Sequence, residues 1–186
     1  MPDSYEVGGK WLNALHAELA GSDRACAVLG GAVLDDRLRT LLVGYLILPL
    51  VDKEDRLLGR SAPVESFSAR IELAYRLALI SEKVRRALDW MRDIRNEAAH
   101  SQEFSFESDQ IRDRVRNIFD ALELHIRLPA KLRVELGSTT KGDFVASVML
   151  LAMSLEVEAG ESGRTKHVPA NILGATIRWV DGRDDG

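Results

Sequence analysis

The chain has 186 residues, 46% of them hydrophobic, enough to bury one sizeable core at the upper end of the usual single-domain range. Its 25 basic and 29 acidic residues give a formal charge of -4, which excludes a global positive field for nucleic acid or anionic lipid. A single cysteine, Cys26 in the apolar run ACAVL, excludes an intramolecular disulfide and suits a buried structural thiol.

The opening MPDSYEVGGK carries neither the basic nor the apolar segment of a signal peptide. The longest apolar stretch, Phe144 to Leu155, is too short to span a bilayer, so a cytoplasmic protein with no membrane contact is expected. Apolar residues first recur at helical spacing at Leu12, Leu15, His16 and Leu19, in a short helix that Gly21 ends. Ser22 and Asp23 supply cap chemistry for a long helix from about Asp23 to Leu46, with Leu34, Leu38, Leu41 or Leu42 and Tyr45 on one stripe and Pro49 as its stop. Gly30 and Gly31 inside it cost about 1 kcal/mol each relative to Ala, and a close helix crossing explains them better than a phosphate loop, because no strand precedes them and no Lys follows.

Asp52 to Pro63 mixes charge, glycine and proline and reads as a connection, with one short helical turn at Glu54 to Leu58. Phe67, Ile71, Tyr75, Ala78 and Leu79 then mark a helix that Ser66 or Ser68 can cap, and another runs from Ser81 to about Ala99. After the break QEFSF, the stripe Ile111, Val115, Ile118, Phe119, Leu122 and Ile126 predicts one helix ending before Pro129. Beyond it LRVEL alternates like a strand, Asp143 to Glu158 reads as a nearly all-round apolar helix, TIRWV alternates again, and DGRDDG is a polar tail expected to be disordered. The expected fold is all-α: a bundle of about five core helices plus a further C-terminal helix, with room for a small β-ribbon. Its parts are an N-terminal helix over 1–21, a helical core over 22–128, a helix and ribbon packed on it over 129–180, and the tail over 181–186.

The hexapeptide RNEAAH, Arg95 to His100, carries the most chemistry. Counting 100° per residue from Val84, the residues Ala87, Leu88, Met91, Ile94 and Ala98 fall in one arc of about 120°, and Arg95 falls inside it. A guanidinium on a core-facing stripe needs a receiver, because an unpaired buried charge costs on the order of 3–5 kcal/mol. Arg92, Asn96 and His100 form a polar ridge beside it, so that Arg92, Arg95, Asn96 and His100 are the candidate lining of one cleft. Two readings stand side by side. In one, Arg95 pairs with an acid of a neighbouring helix, such as Glu72 or Asp35, while His100 caps the helix C-terminus. In the other, Arg95 holds a phosphodiester, His100 moves a proton, and Asn96 orients the phosphate or the imidazole, which would cleave RNA without a metal.

These residues resemble the mark of the HEPN superfamily, an Arg, a polar residue and a His near the end of a helix in an all-α bundle. That resemblance implies a helical dimer and, in active members, a metal-independent RNase with Arg95, Asn96 and His100 at the matching positions. A longer resemblance, over roughly residues 22–127, is to the mannitol operon repressor family, and rests on DRACAVLGGAVLDDRLRTLL, SFSARIELAYRLALIS and DIRNEAAHS followed by FSFESDQI. It implies a helical protein of transcription regulation.

A direct DNA reader should show a recognisable docking helix with an exposed basic face, and none is found. Arg112, Arg114 and Arg116 come nearest, but Asp109, Asp113 and Asp120 are interleaved and favour a salt-bridged surface. Asp35 and Asp36 are adjacent on a helix and point apart, which favours solvation or pairing to Arg37, Arg39 or Arg95 over a metal site or an acid/base pair. His16, His125 and His167 lack ligand-spaced neighbours, so neither a metal nor a cofactor is expected. Trp11, Trp90 and Trp179 are read as core residues or as a patch for association, and Arg70 and Arg76 flank Glu72 as surface pairing unless Arg70 faces the cleft. The expected function is a dimeric regulatory module acting through a protein partner, with an RNase acting on RNA as the alternative.

Overall fold

The computed structural model describes residues 17, 19–46, 55–127 and 139–162. They form an all-α bundle of six helices: α1 (Asp23–Tyr45), α2 (Phe67–Arg76), α3 (Glu82–His100), α4 (Asp109–Ala121), α5 (Leu124–Arg127) and α6 (Thr140–Ser162). No helix among the described residues is long and apolar enough to cross a membrane. The expected ribbon segments LRVEL and TIRWV, the tail, and most of the expected first helix lie outside the described residues; Leu19, from the end of that helix, is fully buried.

Serines start the helices as the sequence suggests. Ser22, Ser66 and Ser81 have extended backbones and accept the amide N–H of Ala25, Ala69 and Val84 respectively, satisfying a donor that the first turn leaves open. The connection before α2 closes on Asp55, whose Oδ1 accepts the N–H groups of Leu57 and Leu58, and it buries Leu58 and Val64. Those two bonds hold the Asp55 carboxyl below the usual carboxylate range.

Helix α1 is the centre of the bundle. It buries Cys26, Ala27, Gly30, Gly31, Leu34, Leu38, Leu41 and Leu42, too wide a set for one stripe, and packs on α2, α3 and α6. Its closest association is with α6, which buries Phe144, Val145, Val148, Leu151, Ala152 and Leu155. A methyl group on Gly30 would lie 2.9 Å from Cε1 of Phe144 and 3.0 Å from Cγ2 of Val148, so the absence of a side chain there is what lets the two helices approach.

Two expectations need correction. The stripe through Ile126 is not one helix: α4 stops at Ala121, Glu123 takes a left-handed φ of 55°, and the short α5 restarts with Ile126 74% exposed. Helix α2 ends at Arg76 rather than continuing through Leu79, because Ala78 turns left-handed at φ 57° and Leu79 donates back to the carbonyl of Ala74.

Candidate functional site

Helix α3 buries Ala87, Leu88, Met91, Ile94 and Ala98, the five residues of the predicted arc. Arg95 is half-buried beside them, and its stem crosses α1 at Gly31: a methyl group there would lie 2.6 Å from Cγ and 2.7 Å from Cβ of Arg95. The two adjacent glycines of α1 therefore open in two directions, Gly30 onto the apolar α6 and Gly31 onto a charged side chain.

Neither expected acid receives Arg95. Asp35 binds Arg70 instead, Oδ1 to Nη1 at 2.6 Å, with Arg70 only 8% exposed; Glu72 faces Arg76 at 3.8 Å on an exposed surface. Arg70 follows Phe67 by three residues and precedes Ala74 by four, both buried, so a helical wheel of α2 would have flagged it as surely as that of α3 flags Arg95. Its place is core-facing, with Asp35 as the receiver that makes the burial tolerable.

What holds Arg95 is its neighbour in sequence, Nη1 donating to Oδ1 of Asn96 at 3.0 Å. No carboxylate of the described residues lies within ion-pairing distance of its guanidinium. The group opens instead on a groove of about 470 Å³ lined by Asp35, Ala62, Pro63, Glu65, Ser66, Phe67 and Arg95.

The polar ridge divides. Arg92 is bracketed by Asp89 at 3.0 Å and Asp93 at 2.9 Å, so its charge is already matched, and it does not line this groove. Asn96 is half-buried and serves Arg95, while His100, the last residue of α3, is exposed and makes no hydrogen bond among the described residues. A hydrogen bond joins Arg95 to Asn96, and among the described residues neither Arg92 nor His100 is bonded to either of them.

The C-terminal end of α3 is tied by α1 rather than by His100. Arg24 donates from Nη2 to the carbonyls of Ser101 and Gln102, at 2.7 Å for the latter, and Asp23 accepts the N–H of Phe106 at 3.1 Å. Phe106 is thereby seated in the core, 5.4 Å from Phe104 and 5.0 Å from Phe144 between ring centroids.

The basic track of α4 is largely neutralised. Arg112 pairs with Asp109, and Arg114 with Glu97 of α3 at 2.8 Å; Arg116 is exposed. Cys26 is fully buried, and burial pushes its thiol up to about 11, with Lys141 opposing and Asp23 reinforcing the shift. Trp90 is half-buried, with the Arg86 guanidinium 5.3 Å from its ring centroid. Among the described residues no three His, Cys, Asp or Glu side chains gather as a metal cage. Compared with protein-family models, with curated proteins and with solved structures, the chain matches none of them.

Proposed function

We propose that this chain is a cytoplasmic regulatory module, similar to the mannitol operon repressor family, that works as a dimer and acts through protein contacts around α3 rather than by reading DNA directly. The observation that supports it most is Arg95: a half-buried guanidinium facing a groove, with no acid of the described residues to match it. An arginine kept in that state is suited to receive a polar group from another molecule. The paired state of Arg112 and Arg114 counts in the same direction, since a phosphate track would need their charges free.

The test is affinity capture on the folded protein and on Arg95→Ala. A partner retained by the first and lost by the second, with the circular dichroism spectrum unchanged, is the expected result. A set of bound proteins identical for both variants would overturn the reading, and a specific, salt-sensitive shift of an operator fragment would favour direct DNA binding instead.

A second reading rests on the Arg95–Asn96 hydrogen bond and the exposed His100 at the helix end. It is a HEPN-type RNase in which Arg95 stabilises the phosphate, Asn96 orients it and His100 transfers the proton. Cleavage of RNA in EDTA to cyclic phosphate ends, lost in Arg95→Ala and in His100→Ala, is its signature. Intact RNA after incubation with the purified protein would sink it.

A further inference from the structure

The groove beside Arg95 holds charges of both signs that do not close on one another. Its walls come from α1 through Asp35, from the segment before α2 through Ala62, Pro63, Glu65 and Ser66, from the first residue of α2, Phe67, and from α3 through Arg95. None of these three charges is bonded to another of them. Arg95 is bonded to Asn96, Asp35 to Arg70, and Glu65 accepts the N–H of Ser61 through Oε2 at 2.8 Å. That leaves most of the N–H donors of Arg95 on one side, and Oδ2 of Asp35 with Oε1 of Glu65 on the other, as hydrogen-bonding atoms without a described partner.

A ligand must answer both sides. A simple anion would satisfy Arg95 but meet two carboxylates, and a simple cation would satisfy the carboxylates but meet Arg95. A molecule bearing both charges completes both walls at once. Phe67, buried at the groove edge, with Ala62 and Pro63, gives an apolar surface for an uncharged remainder. The volume of about 470 Å³ is on the scale of a single small metabolite.

We infer that this groove binds a small zwitterion, a carboxylate and an ammonium on an aliphatic body, of which a free α-amino acid is the simplest form. The carboxylate is taken by the Arg95 guanidinium, the ammonium by Asp35 and Glu65, and the aliphatic part lies against Phe67 and Pro63. This goes beyond the partner-binding reading and does not rest on it, because zwitterion binding is measured on the isolated protein whether or not any partner is captured.

The experiment is a titration of the 15N-labelled protein with L-leucine, following the amides of Ser66 and Phe67 and the side-chain Nε–H of Arg95. Leucinamide, which lacks the carboxylate, and 4-methylpentanoate, which lacks the ammonium, are titrated in parallel. Saturable shifts with leucine, and binding weaker by about tenfold for each one-charge analogue, are expected. Arg95→Met keeps the stem over Gly31 and removes the charge, and Glu65→Gln alters an exposed loop position; each should lose most of the leucine response while the remaining spectrum stays dispersed. Absence of saturable shifts with leucine, equal binding of 4-methylpentanoate, or an undiminished response in folded Arg95→Met would each overturn the inference.

Discussion

The two sides of α1 solve opposite problems with adjacent residues. On the α6 side Gly30 admits Phe144 and Val148, and the contact is closed and apolar. On the α3 side Gly31 admits the stem of Arg95, and nearby Asp35 draws Arg70 inward, so that two guanidiniums lie where a bundle would ordinarily place leucines. The apolar side is held by area removed from water, which any similar shape can supply. The other side adds to its apolar packing directed bonds such as Asp35–Arg70, which fail one partner at a time. The first makes the bundle; the second gives it a place where chemistry or recognition can occur.

The sharpest way to break the comparison is from the apolar side. Phe144→Ala removes a fully buried ring that touches both Phe106 and the Gly30 crossing, and should cost about 3–5 kcal/mol in urea denaturation. A loss below about 1 kcal/mol would mean that the α1–α6 contact does not carry the fold. Next comes Asp35→Ala, which strands the buried Arg70. The expected loss is about 2–3 kcal/mol, less than for a fully buried pair because the Asp35 side chain is 26% exposed. Asp35→Ala combined with Arg70→Met should recover most of it, whereas no recovery would show that the ion pair is not the cause.

The glycine pair gives a finer test. Gly30→Ala and Gly31→Ala should each lose a net of about 1–2 kcal/mol, overpacking outweighing the gain in helix propensity. They should differ in what moves. At Gly30 the neighbours are the ring of Phe144 and a methyl of Val148, but at Gly31 they are Cβ and Cγ of Arg95, at the root of its side chain, so α3 itself must shift. Combining Gly31→Ala with Arg95→Ala should restore only part of the stability, because a Cβ stays at position 95; full recovery would place the clash further out along the arginine.

The smallest effect is confined to alkaline pH. The Cys26 thiol is raised from 9.0 to about 11 in the folded chain, so above pH 9 the unfolded chain gives up a proton that the folded chain keeps. Stability from this group is complete below pH 9 and is lost as the pH rises towards 11. Urea midpoints of the protein and of Cys26→Ala, compared at pH 8 and again near pH 10.5, should therefore converge at the higher pH; parallel curves would show that the thiol does not contribute.

The helical frame was largely legible in the chain because serine caps and apolar periodicity are local signals. The five buried residues of α3, the cap at Ser22 and the crossing at the glycine pair all follow from them. Breaks carried by Ala78 and Glu123 were not, since neither residue is one of the usual left-handed formers and the apolar stripe runs on through Leu79 and Ile126. At the site, Arg95 was identifiable as a charge on the wrong face, but its receiver was not. Asp35 and Arg70 are 35 residues apart, and which of two arginines an aspartate chooses is decided by helix packing, not by spacing.

The central position of α1 also has a cost in time. Gly30 precedes Phe144, the ring it receives, by more than a hundred residues, so a ribosome adding roughly 5–20 residues per second finishes α1 many seconds before that ring is made. Through that interval the nascent chain has α2 and α3 available to cover one side of α1, while the side awaiting α6 stays open to solvent or to a chaperone. Arg70 of α2 and Arg95 of α3 belong to the half that can assemble first, and the greasy half closes last.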